Sequence, residues 1–347
     1  MPAPVRVLAS FPRPRPTTNP YIVMLAQALE RTPGLELHYF SYRTALLGRY
    51  DVFHAHWPEI LVDGHGPVKT AARQALFALL LGRIAVMRTP VVRTVHNLAL
   101  PEGLSPVQRV LLRAFDRLTT HRIRLNTTTE LPSGQTVSTI PHGHYRDWFT
   151  AHPEPAAVPG RFGYAGLIRR YKGTEALVQA FTDLDGAAWS LVVGGRPSSP
   201  DLAATLTEAA ARDPRIRTRL AFLSDAELVD VVGSSQLVVL PYRHMHNSGG
   251  ALTALSLDRP VLVPDNTVNR RLAEEVGAPW VQLFDGDLTA ADLRRASSAV
   301  QGLSTGDRPD LTGRDWSGAG QAHLAAFREA IGLRSGGTRR TGSRRHR

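Results

Sequence analysis

This chain of 347 residues contains 39 arginines but only two lysines. One lysine, Lys172, lies in a basic turn at 166–173, between an apolar run typical of a buried strand and a run with helical periodicity. A lysine ammonium is a compact point charge that suits a phosphate oxygen, and ligands of open α/β sheets bind where strands end. We therefore predict that Arg169, Arg170 and Lys172 bind a phosphate group. The alternative is a basic surface turn without a ligand.

A second pattern that suits phosphate follows another buried strand, where Asn247 and Ser248 precede Gly249, Gly250 and an apolar helix. Asparagine and serine are good N-terminal caps, and glycine lets an anion approach the free backbone amides. The partial positive charge of the helix start adds to this attraction. Alone, the motif is an ordinary capped turn. Together with the basic turn on the same predicted sheet, it predicts a clamp for a diphosphate.

Polar residues also follow strand ends in the first half of the chain. We expect them to line a cleft, because functional groups of open α/β sheets lie at such ends. The candidates are His54, His56, His96, Asn97, His142 and His144. The spacing of His54 and His56 would suit a metal only with a third ligand, so no metal site is predicted.

Two carboxylates follow strand ends in the same half, Glu59 and Glu102. A carboxylate at such a position could act as a general base. Glu102 is the predicted base, with His96 as the other candidate catalytic residue. The Asp-x-Asp patterns at 183–185 and 285–287 are predicted to be a loop and a helix cap.

Composition restricts the class of protein. A hydrophobic content of 43% and a charged content of 20% are typical of a globular chain. The absence of cysteine excludes thiolate catalysis, disulfides and cysteine-ligated zinc, and it fits a cytoplasmic protein. The net charge of +11 includes six arginines in the last 14 residues, so the charge is concentrated in the tail. We expect no signal peptide and no run long enough to span a membrane.

Strand and helix signals alternate along both halves, which predicts an α/β fold with parallel, doubly wound sheets. The predicted domains are an N-terminal Rossmann-like domain at 1–150 and a C-terminal one at 161–331. A proline-rich linker at 151–160 is predicted to join them, and an arginine-rich tail at 332–347 is predicted to be disordered.

The stretches "GLIRRYKG", "NSGGALTALSLDRPVLVP", "YDVFHAHW" and "PVVRTVHNL" carry a resemblance. The chain resembles GT-B glycosyltransferases of the family 4 type, with greatest similarity to bacterial exopolysaccharide β-mannosyltransferases, over about 5–331. The resemblance implies two Rossmann-like domains facing across a cleft. It also implies that Arg169, Lys172 and the helix start at Ser248 contact the donor diphosphate, and that His96 approaches the transferred sugar.

The chain departs from the family pattern at two positions. Family 4 enzymes carry two glutamates eight positions apart around this helix, one near the sugar and one near the ribose. Met245 and Thr253 occupy those positions here. Recognition of the ribose is therefore unassigned.

We predict transfer of a hexose from a nucleoside-diphosphate sugar to a hydroxyl of a saccharide, glycolipid or small-molecule acceptor, without metal or cofactor. The resemblance suggests GDP-mannose as the donor. A nucleotide-sugar epimerase of the same architecture and a basic nucleic-acid-binding protein are the alternatives, although no specific nucleic-acid motif is present. The apolar helix at 70–87 suits packing on a sheet better than a peripheral contact with the inner face of a membrane, the other interpretation.

Overall fold

The computed structural model describes residues 3–96, 100–101, 103–243, 245–304 and 306–340, with side chains described up to Arg334. The chain forms two compact units. The first unit comprises Met1–Gly143 together with Arg314–Arg347, and the second unit is His144–Gly313. Each unit is built on one parallel sheet of six strands.

The sheet of the first unit contains β1 (Val5–Ala9), β2 (Leu35–His38), β3 (Val52–Ala55), β4 (Val91–Val95), β5 (His121–Arg124) and β6 (Thr136–Thr139). The strands lie in the order β2-β1-β3-β4-β5-β6, and all pairs are parallel. The helices of this unit are α1 (Pro20–Glu30), α2 (Tyr42–Leu47), α3 (Pro67–Met87), α4 (Pro106–Leu118) and a C-terminal helix, Trp316–Arg340. A short 3-10 helix at Pro58–Val62 follows β3.

The second unit begins with the short α5 (Arg146–Phe149). Its strands are β7 (Val158–Ala165), β8 (Ser190–Gly194), β9 (Ile216–Arg219), β10 (Ser235–Val239), β11 (Val261–Pro264) and β12 (Val281–Phe284). Their order is β12-β11-β10-β7-β8-β9. The helices between them are α6 (Thr174–Thr182), α7 (Pro200–Arg212), α8 (Asp225–Gly233), α9 (Gly249–Ser256), α10 (Thr267–Val276) and α11 (Ala290–Val300). The C-terminal helix is therefore α12 (Trp316–Arg340).

Local sequence explains where the site-bearing elements begin. Strands at the centre of each sheet, such as β3 and β10, are largely apolar because helices cover both faces of a parallel sheet; Val52 and Leu237 are 0% exposed. Helix α1 begins where Asn19 Oδ1 accepts a hydrogen bond of 2.9 Å from the amide of Tyr21. Helix α9 begins where Ser248 Oγ accepts a hydrogen bond of 3.2 Å from the amide of Ala251. Such caps satisfy amides that the helix itself leaves without partners.

The predicted α/β class with two parallel sheets is confirmed, but the C-terminal boundary is different from the one predicted. Helix α12 packs against α1 and the sheet of the first unit, although the sequence places it directly after the second. Leu324, Phe327 and Ala330 are each at most 3% exposed, so this helix completes the first core. The predicted disorder from 332 is also wrong up to Arg340, where the backbone is helical.

Helix α3 differs from the prediction at 70–87 in length and in exposure. It begins at Pro67, and by length and composition it is apolar enough to cross a membrane, contrary to the expectation that no run would be. Phe77, Leu80 and Ile84 are 0% exposed and belong to the core of the first unit, so α3 packs on the sheet as predicted. Only 22% of the apolar window is buried.

Candidate functional site

The two predicted phosphate-binding motifs follow neighbouring strands in the second unit. The order of that sheet reverses between β7 and β10, which pair directly. The basic turn follows β7, and the loop leading to α9 follows β10. Ligands of doubly wound sheets bind at this reversal, outside the carboxyl ends of the strands. The fold therefore places Lys172 and Ser248 at the position where a ligand of this unit is expected.

Lys172 and the start of α9 are connected through one aromatic ring. Lys172 Nζ lies 5.0 Å from the centroid of the Tyr242 ring, within the range of a cation–π interaction. A Cβ atom on Gly250 would lie only 3.2 Å from the hydroxyl oxygen of Tyr242. The ammonium and the first turn of α9 thus both lie next to the side chain of Tyr242.

The charge on Lys172 is poorly compensated. Its side chain is partly buried, and burial, followed by the neighbouring charge of Arg169, lowers its pKa to about 8. Among the residues that the structure describes, no carboxylate forms an ion pair with its ammonium. A partly desolvated cation without an anionic partner is a favourable site for a bound anion.

Buried hydroxyl groups link the end of β7 to the start of α9. The hydroxyl of Tyr164 donates a hydrogen bond of 3.0 Å to the carbonyl of Leu167. Tyr164 and Ser248 both lie close enough to Tyr242 to influence its pKa. Burial raises the pKa of both phenols, so both stay neutral. Sequence reasoning missed this pair, although both tyrosines adjoin the motifs that it identified.

The remaining predicted donor residues occupy different surroundings. Arg169 is exposed and close enough to Lys172 to influence its pKa. Arg170 forms ion pairs with Glu175 at 3.2 Å and Asp201 at 3.8 Å, so its charge is already partly compensated. Asn247 is half-buried in the loop before Ser248. The assignment of these residues to the diphosphate stays a prediction.

Met245 and Thr253 occupy the two positions where family 4 enzymes carry glutamates. Met245 is 7% exposed, and its carbonyl accepts a hydrogen bond of 3.0 Å from Asn266 Nδ2. Thr253 is half-buried in α9. Both side chains are uncharged, so ribose recognition by a carboxylate at these two positions is excluded.

We expect the replacement of Gly173 by alanine to destabilise the turn of the proposed donor site, because the added Cβ atom would clash with the backbone. Gly173 has a φ of +67°, and a Cβ atom there would overlap the carbonyl oxygen of Pro241. The expected loss of stability is about 1–3 kcal/mol, measured as a lower midpoint of thermal unfolding together with weaker binding of the donor. Gly332→Ala is the matched control, because its Cβ would meet no atom within 4 Å in helix α12. Equal unfolding midpoints for the two variants would contradict this view of the turn.

Histidines and aromatic residues form a compact cluster in the first unit. His56 Nδ1 and His96 Nε2 lie 3.0 Å apart, and His96 stacks on Trp57 with a ring separation of 4.2 Å. The ring of Tyr21 lies 4.5 Å from that of His142 and 5.3 Å from that of His96. His56 follows β3 and His96 follows β4, so the fold brings these predicted residues together.

The cluster is electrically neutral around neutral pH. Burial, followed by the neighbouring charges of His142 and Arg93, lowers the pKa of His96 to about 3. Burial likewise lowers the pKa of His142 to about 4 and holds that of His56 well below its usual range. His56 Nε2 is buried without a hydrogen-bond partner, which a ligand hydroxyl or water would satisfy. The cluster is suited to hydrogen bonding with a sugar rather than to binding an anion.

His54 supports this cluster from inside the core. It is 0% exposed, and its Nε2 lies 3.0 Å from Thr94 Oγ1. Its ring lies 5.4 Å from that of His323 and 5.0 Å from that of Phe327, both on α12. Across the described part of the chain, no group of three or more His, Cys, Asp or Glu side chains is placed to hold a metal ion.

Glu59 lies next to the histidine cluster. It shares a small cavity with His56, Trp57 and His96. It also lines a larger cavity of about 410 Å³, together with Ile60, Asp63, Gly64, His65, Arg73, Pro101, Gly103, Leu104 and Gln108. Burial raises the pKa of Glu59 above its usual value. Glu59 is therefore a candidate for accepting a proton.

Three predicted residues remain: two lie outside the described part of the chain, and one belongs to the second unit. Asn97 and the predicted base Glu102 lie outside the described residues. His144 belongs to the second unit, where its Nδ1 accepts a hydrogen bond of 3.3 Å from the amide of Arg146. Conversely, Tyr21, Trp57 and His323 were not predicted. Trp57 follows the predicted His56 directly, whereas no local signal connects His323 to the site.

Comparison with known proteins adds independent information. No protein-family model matches the chain. The chain is 44% identical over 328 residues to the "GDP-mannose:glycolipid 4-beta-D-mannosyltransferase" of Xanthomonas campestris pv. campestris, covering 94% of this chain and 93% of that protein.

Solved structures of glycosyltransferases share the fold. One is Anabaena HepE in complex with UDP and glucose, with a TM-score of 0.60, 14% identity and coverage of 98% of this chain and 100% of that chain. Another is the sucrose-phosphate synthase of Thermosynechococcus elongatus, with a TM-score of 0.55, 14% identity and coverage of 97% and 98%. At these identities the likeness shows the fold, which is GT-B.

These relatives favour the transferase over the epimerase and the nucleic-acid-binding protein. The identity of 44% along nearly the whole length of both proteins shows the family. The parallel sheets of the two units agree with this assignment. The chain belongs to the same family as the mannosyltransferase of Xanthomonas campestris and is a hexosyltransferase with the GT-B fold.

Proposed function

We propose that the chain transfers mannose from GDP-mannose to a hydroxyl of a glycolipid and forms a β linkage, without a metal ion. The name of the relative that is 44% identical supports this donor, acceptor and linkage. The single structural observation that carries the proposal is the unpaired ammonium of Lys172 beside the start of α9.

In this proposal the leaving group is stabilised in the second unit. As the bond between the anomeric carbon and the phosphate oxygen breaks, its electron pair passes to GDP, and negative charge develops on the diphosphate. Lys172, Arg169 and the amides of Gly249 and Gly250 would stabilise that charge.

The acceptor hydroxyl would be activated in the first unit. GDP-mannose carries mannose in the α configuration, so a β product requires a single displacement with inversion. The acceptor oxygen attacks the anomeric carbon, and its proton must pass to a base. Glu59 is the described carboxylate that borders the histidine cluster and a cavity large enough for a sugar. Neutral His96 would hydrogen-bond a sugar hydroxyl.

The decisive experiment compares donors and metal dependence. Thermal unfolding is measured with GDP-mannose, UDP-glucose and a dTDP-sugar, because a ligand that binds only the folded state raises the unfolding midpoint. Transfer of radiolabelled mannose to a glycolipid extract is then measured with and without EDTA. We expect stabilisation by GDP-mannose and transfer that EDTA does not reduce. Stabilisation by UDP-glucose alone would refute the donor, and loss of transfer in EDTA would refute metal independence.

A further inference from the structure

Arg93 is a charged residue in the middle of an otherwise buried strand. In β4, Val91 and Val95 are at most 5% exposed, and the side chain of Arg93 is 18% exposed. Arg93 lies in register with Arg122 on the neighbouring strand β5. Because neighbouring strands are about 4.8 Å apart, two cationic side chains leave the same face of the sheet side by side. Such a pair of like charges requires a compensating partner.

A single carboxylate bridges the two cations. Asp116 Oδ1 accepts a hydrogen bond of 2.8 Å from Arg93 Nη1 and one of 2.7 Å from Arg122 Nη2. Two positive charges thus share one negative charge, and Arg93 Nε is buried without a hydrogen-bond partner among the described residues. A partly buried ion network contributes little to stability, because the desolvation of its charges offsets their attraction. Stability alone therefore does not explain a cation at this position.

Arg93 borders the cavity of the histidine cluster. It lines the small cavity that Glu59 and His96 also line. The sheet accounts for this arrangement, because β3 and β4 are neighbours, Glu59 lies in the 3-10 helix that follows β3, and His96 directly follows β4. A cation held by Asp116 thus lies at the wall of the cavity that contains the candidate base.

The charge of Arg93 acts on Glu59 and His96 in the same chemical sense. Burial raises the pKa of Glu59, and the guanidinium of Arg93 opposes part of this rise. Burial, the charge of His142 and then that of Arg93 lower the pKa of His96 to about 3. A nearby cation stabilises a carboxylate and destabilises an imidazolium, so it favours the deprotonated form of both groups.

Other titratable side chains also face Glu59. They are His56 and His96 at the small cavity and Asp63, His65 and Arg73 at the larger one. The cation whose charge lowers the pKa of Glu59 is Arg93. The guanidinium of Arg73 instead donates to the backbone carbonyls of Ile60 and Asp63. The charge beside the carboxylate is therefore that of Arg93.

We propose that Arg93 is a positioning residue for the transfer reaction, whose fixed charge keeps Glu59 ionised and His96 neutral when the acceptor binds. This inference rests on the proposed function, in which Glu59 accepts the proton of the acceptor hydroxyl. A half-buried carboxylate without a neighbouring cation stays protonated up to a higher pH, and the protonated form cannot accept that proton. Burial makes Glu59 more basic, and Arg93 keeps it available as a base.

The test is the pH profile of kcat/KM for the glycolipid acceptor at saturating GDP-mannose. In Arg93→Gln the pKa of Glu59 should rise, so the acidic limb of the profile should move to higher pH by roughly half a unit to one unit. Below the limb this shift corresponds to a loss of about 3- to 10-fold, and above the limb the variant should approach the wild type. Arg93→Lys keeps a positive charge and should keep the limb close to that of the wild type.

Arg122→Gln is the matched control. It also removes a hydrogen bond to Asp116, but Arg122 lines a different cavity of about 240 Å³ on the other side of Arg93. Both glutamine variants should lower the midpoint of thermal unfolding, whereas Arg122→Gln should leave the acidic limb in place. An unmoved limb in Arg93→Gln would assign Arg93 a structural role and overturn the proposal. An equal movement in both variants would overturn it as well, because the effect would then arise from the network around Asp116.

A measurement without turnover separates this inference from the proposed function. The carboxyl group of Glu59 is titrated by NMR in protein that contains isotope-labelled glutamate, and Glu59→Gln identifies its signal. The midpoint of this titration should rise in Arg93→Gln and stay unchanged in Arg122→Gln. Absence of mannose transfer by the wild type would refute the proposed function alone. A titration midpoint that Arg93→Gln leaves unchanged would refute the role of Arg93 even if the protein transfers mannose.

Discussion

Replacement of Lys172 by alanine is expected to lower kcat/KM for transfer about 100- to 1000-fold while the midpoint of thermal unfolding changes little. The reason is that a preorganised cation facing a leaving group stabilises charge that develops in the transition state, and removal of such a group typically has an effect of about this size. The ammonium makes no ion pair with a described carboxylate, so its loss costs the fold no such pair. Steady-state kinetics and a melting curve measure both quantities.

The control for this variant is Arg212→Ala. Arg212 is a cation of the same unit whose side chain is 80% exposed on α7. It should leave kcat/KM unchanged, which separates a local role of Lys172 from a general effect of net charge. If the two variants had the same kcat/KM, Lys172 would have no part in the reaction.

The pKa of Lys172, lowered to about 8, adds a pH dependence to this expectation. In the proposed site the donor binds to the ammonium form, which the free protein holds below pH 8. Above that pH the amine must take up a proton when the diphosphate binds, so the Kd of the donor should rise by up to about tenfold per pH unit. Lys172→Arg should remove this slope, because the guanidinium stays charged.

The positions of the two predicted phosphate-binding motifs could be derived from sequence because their signals are local. A strand, a basic turn and a helix follow one another around Lys172, and the same order recurs around Ser248. In a doubly wound sheet this order alone places both motifs at the carboxyl end of the strands. The connection through Tyr242 was not predictable, because the positions of its ring and hydroxyl depend on packing between two strands that are far apart in the sequence.

Only part of the histidine cluster could be predicted from local sequence signals. His56 and His96 could be predicted as strand-end residues, whereas His323 belongs to α12, more than 200 positions further along the chain. The return of α12 to the first unit depends on which core its apolar face completes, and periodicity does not specify the partner of an amphipathic helix. The domain boundary was misplaced for the same reason.

The choice of base illustrates how burial decides between two similar patterns. Glu59 and Glu102 both follow strand ends, and sequence alone favoured Glu102, which lies outside the described residues. Glu59 is half-buried, borders two cavities and has a raised pKa because of burial. A base with a raised pKa is a better proton acceptor at neutral pH, provided that it stays ionised. These properties make Glu59 the residue to test.

Replacement of Glu59 by glutamine is expected to lower kcat about 100- to 10,000-fold, the usual contribution of a general base. The Kd of GDP-mannose, measured by calorimetry, should stay as in the wild type, because the proposed donor site is formed by residues of the second unit. Glu36→Gln changes an acid of the first unit whose side chain is 50% exposed, and it should leave kcat unaltered. The wild-type rate should fall as the pH falls through the raised pKa of Glu59, since protonation removes the base, and the glutamine variant should lack this limb. A variant that kept both the wild-type kcat and the acidic limb would show that another group removes the proton of the acceptor.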